Sequence, residues 1–203
     1  MKLMVAVPTT EYVNVNFMCS LVKLTRHLAE ERVDFDVQVI AGTMVYVARE
    51  RLADRAIEKG FTHVLWLDSD MTFEPEIAED LLWCGAEMVC GAFVSRRPPY
   101  DACVYSSIED PGNLVRVEKF ETAPFRVAGC GFAAVMTSVA LLRDVREHFK
   151  TCFTPNRYGE DLAFCDRVTQ LGREIWCEPT VRPGHIALMP LYAGDNPFGG
   201  ADQ

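Results

Sequence analysis

The chain has 203 residues, with 20 Lys and Arg against 29 Asp and Glu for a formal charge of −9; 49% of its residues are hydrophobic and 24% charged. A chain this apolar, with its charge dispersed, builds a core rather than staying disordered, and it lacks the unbroken run of about 18 apolar residues that a membrane-crossing helix requires. The acidic excess argues against an electrostatic grip on nucleic acid or anionic lipid, which clustered Lys and Arg provide.

Leu3 to Val7 form a short apolar run ended by Pro8-Thr9-Thr10, the pattern of a buried strand emptying into a loop. Phe17, Leu21, Leu24 and Leu28 then recur at the spacing of one helical face. Phe35, Val37 and Val39 alternate with polar neighbours up to Ala41-Gly42, which predicts a second strand, and Val45 to Lys59 returns to helical spacing with Gly60 as its stop. His63 to Leu67 is a third strand that ends abruptly in Asp68-Ser69-Asp70. Pro75 suits the first turn of a helix running to Trp83-Cys84, and Glu87 to Val94 supplies a fourth strand.

This β-α-β-α-β-α-β order predicts an α/β fold with a mostly parallel central sheet and helices on both faces, since parallel neighbours need crossovers of about this length. Ligands of such sheets sit beyond the carboxyl ends of the strands, where Pro8-Thr9-Thr10, Gly42-Thr43 and Asp68-Ser69-Asp70 would meet. After Tyr100 the rhythm changes. Cys103 to Tyr105 and Leu114 to Val117 read as short strands around the turn 109–113, and Phe132 to Met136 is a further apolar run. Ser138 can cap a helix through His148, Tyr158-Gly159-Glu160-Asp161 opens a helix to about Leu171, and Glu174 to Cys177 reads as another strand. The second half is therefore mixed.

Eight cysteines lie at 19, 84, 90, 103, 130, 152, 165 and 177 with no C-x-x-C pair, mostly inside apolar stretches. They read as reduced core residues rather than a disulfide or zinc framework. The first residues, Met1 to Pro8, hold too short an apolar core for a secretory signal, so a cytoplasmic protein is the expectation.

The strongest chemical signal is Leu65-Trp66-Leu67-Asp68-Ser69-Asp70, two carboxylates at i and i+2 where a buried strand runs out. They can face a common cation, and hard oxygen ligands of this kind suit Mg²⁺ or Mn²⁺; a solvated turn capped by Asp68 is the plainer account. Glu160 and Asp161 open a helix, whose positive end favours an ionised carboxylate and keeps a base available, or is merely complemented by it. His185 is an ordinary loop histidine or the completion of a metal site begun by the aspartates. Gly129-Cys130-Gly131 allows close approach of backbone to a ligand or makes a tight turn. Arg49 can pair with a diphosphate or lie exposed beside Glu50, and Arg96-Arg97 offers charge to a phosphate or acceptor or to solvent.

Taken in order, Val5-Ala6-Val7-Pro8-Thr9, Ala48-Arg49, His63 to Asp70, Gly129-Cys130-Gly131-Phe132, Gly159-Glu160-Asp161 and Gly184-His185 resemble a GT-A-fold glycosyltransferase of the family-2 kind, in a compact form similar to those of phage and bacterial genomes. The resemblance spans about residues 3 to 186 and implies one glycosyltransferase domain over 1–203. Its nucleotide-binding half would be 1–95, its acceptor-side half 96–188, and 189–203 a flexible tail or lid. It implies a Mn²⁺ or Mg²⁺ ion on Asp68, Asp70 and His185, and a nucleotide-sugar donor, a UDP-sugar first among them. Pro8, Thr9, Arg49, Ser69 and Gly131 would contact that donor. Glu160 and Asp161 would face the acceptor, with Asp161 the base of an inverting hexosyl- or N-acetylhexosaminyl-transferase. The acceptor is open, a modified nucleic-acid base included, although the acidic balance disfavours nucleic acid. The Q-x-x-R-W helix of processive polysaccharide synthases is missing, since Gln170-Leu171-Gly172-Arg173 is followed by Glu174.

Three other classes compete. Asp68-Ser69-Asp70-Met71-Thr72 also fits the D-x-D-x-T of a haloacid-dehalogenase-type phosphatase, with Asp161 and Asp166 as its later acids, but that motif normally follows the first strand of its domain. A non-catalytic nucleotide-binding module would keep the pocket without turnover. A nucleotidyltransferase would want a Gly-rich basic loop after the first strand, which Thr9 to Asn14 is not.

Overall fold

Leu3, Met4, Val5, Ala6 and Val7 are almost wholly shut off from solvent, because the strand they form, β1 (Lys2–Pro8), runs through the middle of the molecule with helices on either side. The computed structural model describes residues 1–187. After β1 come α1 (Val15–Glu30), β2 (Asp34–Ile40), α2 (Val45–Glu58), β3 (His63–Leu67), the two-residue β4 (Met71–Thr72), α3 (Ile77–Trp83) and β5 (Met88–Gly91). The second half holds β6 (Val104–Ser107), β7 (Val115–Arg116), β8 (Phe125–Val127), β9 (Gly129–Cys130), β10 (Ala134–Ser138), α4 (Val139–Phe149), α5 (Glu160–Gln170), β11 (Ile175–Glu178) and β12 (Gly184–His185). The expected tail, 189–203, lies outside the described residues.

The central sheet has the order β2-β1-β3-β10-β5-β11-β8. β2, β1, β3, β5 and β11 share one direction, and β10 and β8 oppose it. Alternation along the strands feeds two cores. Met4, Ala6, Val64 and Trp66 pack with Ala48 and Leu52 of α2, Leu142 of α4 and Phe164 of α5. Leu3, Val5, Leu65 and Leu67 pack with Phe17, Leu24 and Leu28 of α1 and Leu81 of α3. Each of the fully buried Val, Leu, Met and Phe side chains among these contributes ~1.5–3 kcal/mol over its exposed state.

The helix ends follow the sequence. The Asn14 side chain accepts from Asn16 N at 2.8 Å at the start of α1. Ser138 accepts from Leu141 N at 3.0 Å, the predicted cap of α4. Gly159 precedes α5 with Glu160 and Asp161 in the first turn.

Two features differ from the prediction. The run Phe132 to Met136 becomes β10, which enters antiparallel between β3 and β5 and places a reversed strand at the centre of the parallel set. The fourth predicted strand, 87–94, shortens to β5 because the chain leaves the sheet at Ala92, whose N–H donates to Val181 O at 2.7 Å. The small sheets β7-β6-β9 and β12-β4 contain two-residue strands too short to show any period. In the second of these Gly184 passes so close to Thr72 that a Cβ there would lie 2.7 Å from its Oγ1. All eight cysteines are free thiols, five of them buried. Among the described residues no helix is long and apolar enough to cross a membrane.

Candidate active site

The carboxyl ends of β1, β2 and β3 open on a cleft of about 600 Å³ whose walls include Pro8, Thr9, Tyr12, Thr43, Asp68 and Asp70. Its floor is tied together locally. Thr9 N donates to Ile40 O at 3.0 Å, and the Thr9 hydroxyl donates to Ser69 Oγ at 2.9 Å, joining the exit loops of β1, β2 and β3. Pro8, Thr9, Asp68, Ser69 and Asp70, singled out from the sequence, thus share one cleft.

Asp68 and Asp70 occupy different surroundings within it. Asp68 Oδ1 accepts from Arg49 Nη2 at 2.8 Å. Arg49, on α2, is 2% exposed, so the exposed helical arginine of the plainer sequence account is ruled out. Its Nη1 donates to Glu160 Oε1 at 2.9 Å and lies 3.8 Å from Asp161 Oδ1, while its guanidinium sits 5.4 Å from the Phe132 ring centroid. That ring belongs to an aromatic cluster with Trp66, Phe153 and Phe164, which fixes the floor beneath the guanidinium. Burial alone would lower the affinity of Arg49 for its proton, but the charges of Asp68, Asp161 and Glu160 raise it overall. Burial pushes the carboxyl of Asp68 up, with Asp161 and Asp70 adding to it against the pull of Arg49. Glu160 is raised in the same way, by burial and then by the charge of Asp161.

Asp70 stands at the rim. Its Oδ2 accepts from Arg96 Nη1 at 2.6 Å and faces His185 Nε2 at 3.3 Å. Burial raises its carboxyl, yet the hydrogen bond from His185 and the charges of His185 and Arg96 bring it below the ordinary value. His185 arrives through β12, which pairs with β4 so that His185 stands opposite Met71, and Ile186 N donates to Asp70 O at 2.8 Å. Its Nδ1 lies 3.0 Å from Val94 O. A carbonyl only accepts, so Nδ1 carries a proton; Nε2 donates to Asp70 when the ring is doubly protonated and turns its lone pair toward the carboxylate when the ring is neutral. Two acceptors face to face require a proton or a metal cation, and a ligating histidine is commonly oriented by a second-shell bond of this kind. The hydrogen bond to Asp70 raises the proton affinity of His185 against its burial.

This donor set suits a hard divalent cation, with a limit. Asp70 and His185 converge, whereas Asp68 gives one oxygen to Arg49, and no group of three or more potential ligands is clustered among the described residues. A cation held here would draw its remaining ligands from diphosphate and water, as Mg²⁺ commonly does.

Behind Asp68 lies a second cleft of about 290 Å³, whose lining includes Phe93, Tyr105, Gly131, Asp161 and His185. Asp161, with 33% of its side chain exposed against 19% for Glu160, is the more open member of the pair. Gly131 belongs to this second cleft and does not line the first. A Cβ there would stand 3.2 Å from Phe93 Cζ and 3.6 Å from Asp161 Oδ2, so its small size keeps room in front of the carboxylate. Asp166, which the phosphatase reading needs, is bonded to Asn156, Gln170 and Arg157 and lines neither cleft. Sequence reasoning missed Tyr12, Met44, Phe93 and Tyr105, which are apolar or aromatic residues with no local pattern.

No family model matches the sequence, and no curated protein matches it. Solved structures do. A197 from STIV superposes with a TM-score of 0.62 over 93% of this chain and 87% of that one, at 18% identity. GalNAc-T7, in a crystal structure with UDP, GalNAc and Mn²⁺, superposes with a TM-score of 0.66 over 99% of this chain at 13% identity. This chain spans 46% of that neighbour's length. The fold is therefore GT-A-like: mixed α/β around a large, mostly parallel sheet.

Proposed function

We propose that this protein is a metal-dependent glycosyltransferase that moves a sugar from a nucleoside-diphosphate sugar, a UDP-sugar first among them, to a hydroxyl acceptor with inversion. The observation that carries this reading is the convergence of Asp68 and Asp70, from the end of β3, with Asp161, from the start of α5, on two clefts that share Asp68, while Glu160 beside Asp161 bonds to Arg49. One cleft suits a nucleotide and the other an acceptor, with the carboxylates between them. GalNAc-T7 was crystallised with a UDP, a sugar and Mn²⁺ on the same fold, which adds support for the ligand class.

Pro8, Thr9 and Ser69 line the donor side, where Tyr12 and Met44 offer apolar surface to a base. Asp70 and His185 would hold the cation, which would supply positive charge to offset that of the leaving diphosphate. Asp161 takes the proton of the acceptor hydroxyl. Glu160, raised by burial and by its neighbour's charge, keeps Arg49 in place and leaves Asp161 the open carboxylate. Arg49 gives its bonds to carboxylates, so its part is to position Asp68 and Glu160 rather than to contact the donor as the resemblance implies.

Thermal shift with nucleoside diphosphates, with and without Mn²⁺, tests the reading. A metal-dependent rise in melting temperature with UDP is expected, and its loss in Asp70→Ala. Indifference to every nucleotide would reject the proposal.

A further inference from the structure

Arg96 follows β5 in the loop 94–101 and puts its Nη1 2.6 Å from Asp70 Oδ2, the same oxygen that faces His185 Nε2 at 3.3 Å. We propose that Arg96 is an exchangeable counter-ion, which holds the carboxylate of Asp70 while no divalent cation is bound and passes to the donor's diphosphate when one is. The inference rests on the transferase reading above and adds a residue that the reading leaves without a role.

Three observations carry it. The first is competition for one oxygen. A cation ligated by Asp70 Oδ2 and His185 Nε2 would have to share that oxygen with a guanidinium now at hydrogen-bond distance, and two cations there repel each other. Ligation through Oδ2 therefore favours the withdrawal of Arg96. The second is freedom to withdraw. The Arg96 side chain is 51% exposed and, among the described residues, is ion-paired with Asp70 alone, whereas Arg49 is 2% exposed and faces three carboxylates. The backbone around Arg96 is meanwhile held, by the bridge from Val94 to Ala102 and by Ser95 N donating to Asp101 O at 2.8 Å. A change of rotamer therefore suffices, with no rearrangement of the loop. The third is a destination. Arg96 lines the 600 Å³ cleft beside Asp68, Ser69 and Asp70, and also an adjoining cleft with Asn14, Arg97 and Ile186. Its planar fork matches phosphate oxygens better than a lone carboxylate oxygen at a half-open rim.

The opposite signs of two affinities give the test. Mn²⁺ alone is titrated into wild type, Arg96→Ala and Arg97→Ala, with free Mn²⁺ read by electron paramagnetic resonance, and UDP is titrated calorimetrically in saturating Mn²⁺. Removing the competitor in Arg96→Ala tightens Mn²⁺ about three-fold, the scale of a half-exposed ion pair. Removing the phosphate contact in the same variant weakens UDP about ten-fold. Arg97→Ala takes the same charge from the same loop without touching Asp70 and moves Mn²⁺ affinity by less. The exchange is overturned if Arg96→Ala gives no gain in Mn²⁺ affinity, if its UDP affinity is unchanged, or if Arg97→Ala tightens Mn²⁺ equally, which would be a general field effect. In each of those cases a wild type that binds UDP with Mn²⁺ leaves the transferase reading standing. A wild type that binds neither Mn²⁺ nor any nucleoside diphosphate overturns both.

Discussion

Arg49 and Glu50 are neighbours on α2, and each carries charge into the interior, yet the two networks differ in what they leave unspent. Glu50 Oε1 accepts from Phe153 N at 2.7 Å, Thr154 N at 3.0 Å and the Thr151 hydroxyl, while Oε2 accepts from Arg146 Nη2 at 2.7 Å and Cys152 N at 3.2 Å. Burial alone would raise its carboxyl, but these bonds and the charge of Arg146 hold it below the ordinary value. Every acceptor position is used, and the result is a clamp on the chain between α4 and α5. Around Arg49 one guanidinium is divided among three carboxylates. Asp68 and Asp161 line open clefts. A buried charge whose bonds are all internal serves the fold; one that is only partly matched stays ready for a ligand.

The largest test of that contrast is Asp161→Asn. Donor turnover, followed as UDP released from a UDP-sugar, is expected to fall about 10²–10⁴-fold, the usual worth of a general base, with UDP affinity unchanged. Full turnover would remove Asp161 from that role. Arg49→Ala strips the only cation bonded to Asp68 and Glu160 among the described residues and is expected to cost about 3–5 kcal/mol of stability, or roughly 10 °C in melting temperature by calorimetry. Arg49→Lys recovers little, because an ammonium cannot bridge both carboxylates. A loss below about 1 kcal/mol would mean that the inner centre is no more committed than a surface ion pair.

Glu50→Gln is the smallest and sharpens the other side. It is expected to cost about 2 kcal/mol and to leave nucleotide binding per folded molecule untouched. The folded carboxyl lies below its ordinary value of about 4.5. Its contribution is therefore complete above the unfolded value and drains away as pH falls through the folded one. Melting curves of wild type and variant should run parallel at neutral pH and converge below about 4.5. A gap that does not narrow at all as pH falls below about 4.5 would show that the charge of Glu50 is not its source.

The parts of the fold legible in the sequence were those with a period. α1 announced itself through Phe17, Leu21, Leu24 and Leu28, which do face one core, and α4 through its Ser138 cap. The D-x-D was visible because a hydrophobic strand stops dead at Asp68. Arg49 stands out in the sequence only through the resemblance, as a donor contact: beside Glu50 it looks like a solvated helical pair, and nothing within a turn of it reveals two acids more than a hundred residues away. Glu50 was passed over for the same reason, its partners lying between Arg146 and Thr154. β4 and β12, at two residues each, carry no alternation, so the staple that brings His185 to Asp70 had no signature.

Composition, alternation and helical spacing depend on neighbours within a few positions, and they were enough to specify the α/β class, the order of the first elements and the sheet edge where the site would lie. Which charges meet there depends on pairings far apart in the chain. The insertion of β10 between β3 and β5, the burial of Arg49 against Asp68 and Glu160, and the division of Asp68, bonded to Arg49, from Asp70, paired with Arg96 and facing His185, came from packing alone. A charge is buried or solvated according to what the rest of the chain places over it, and only the folded molecule decides that.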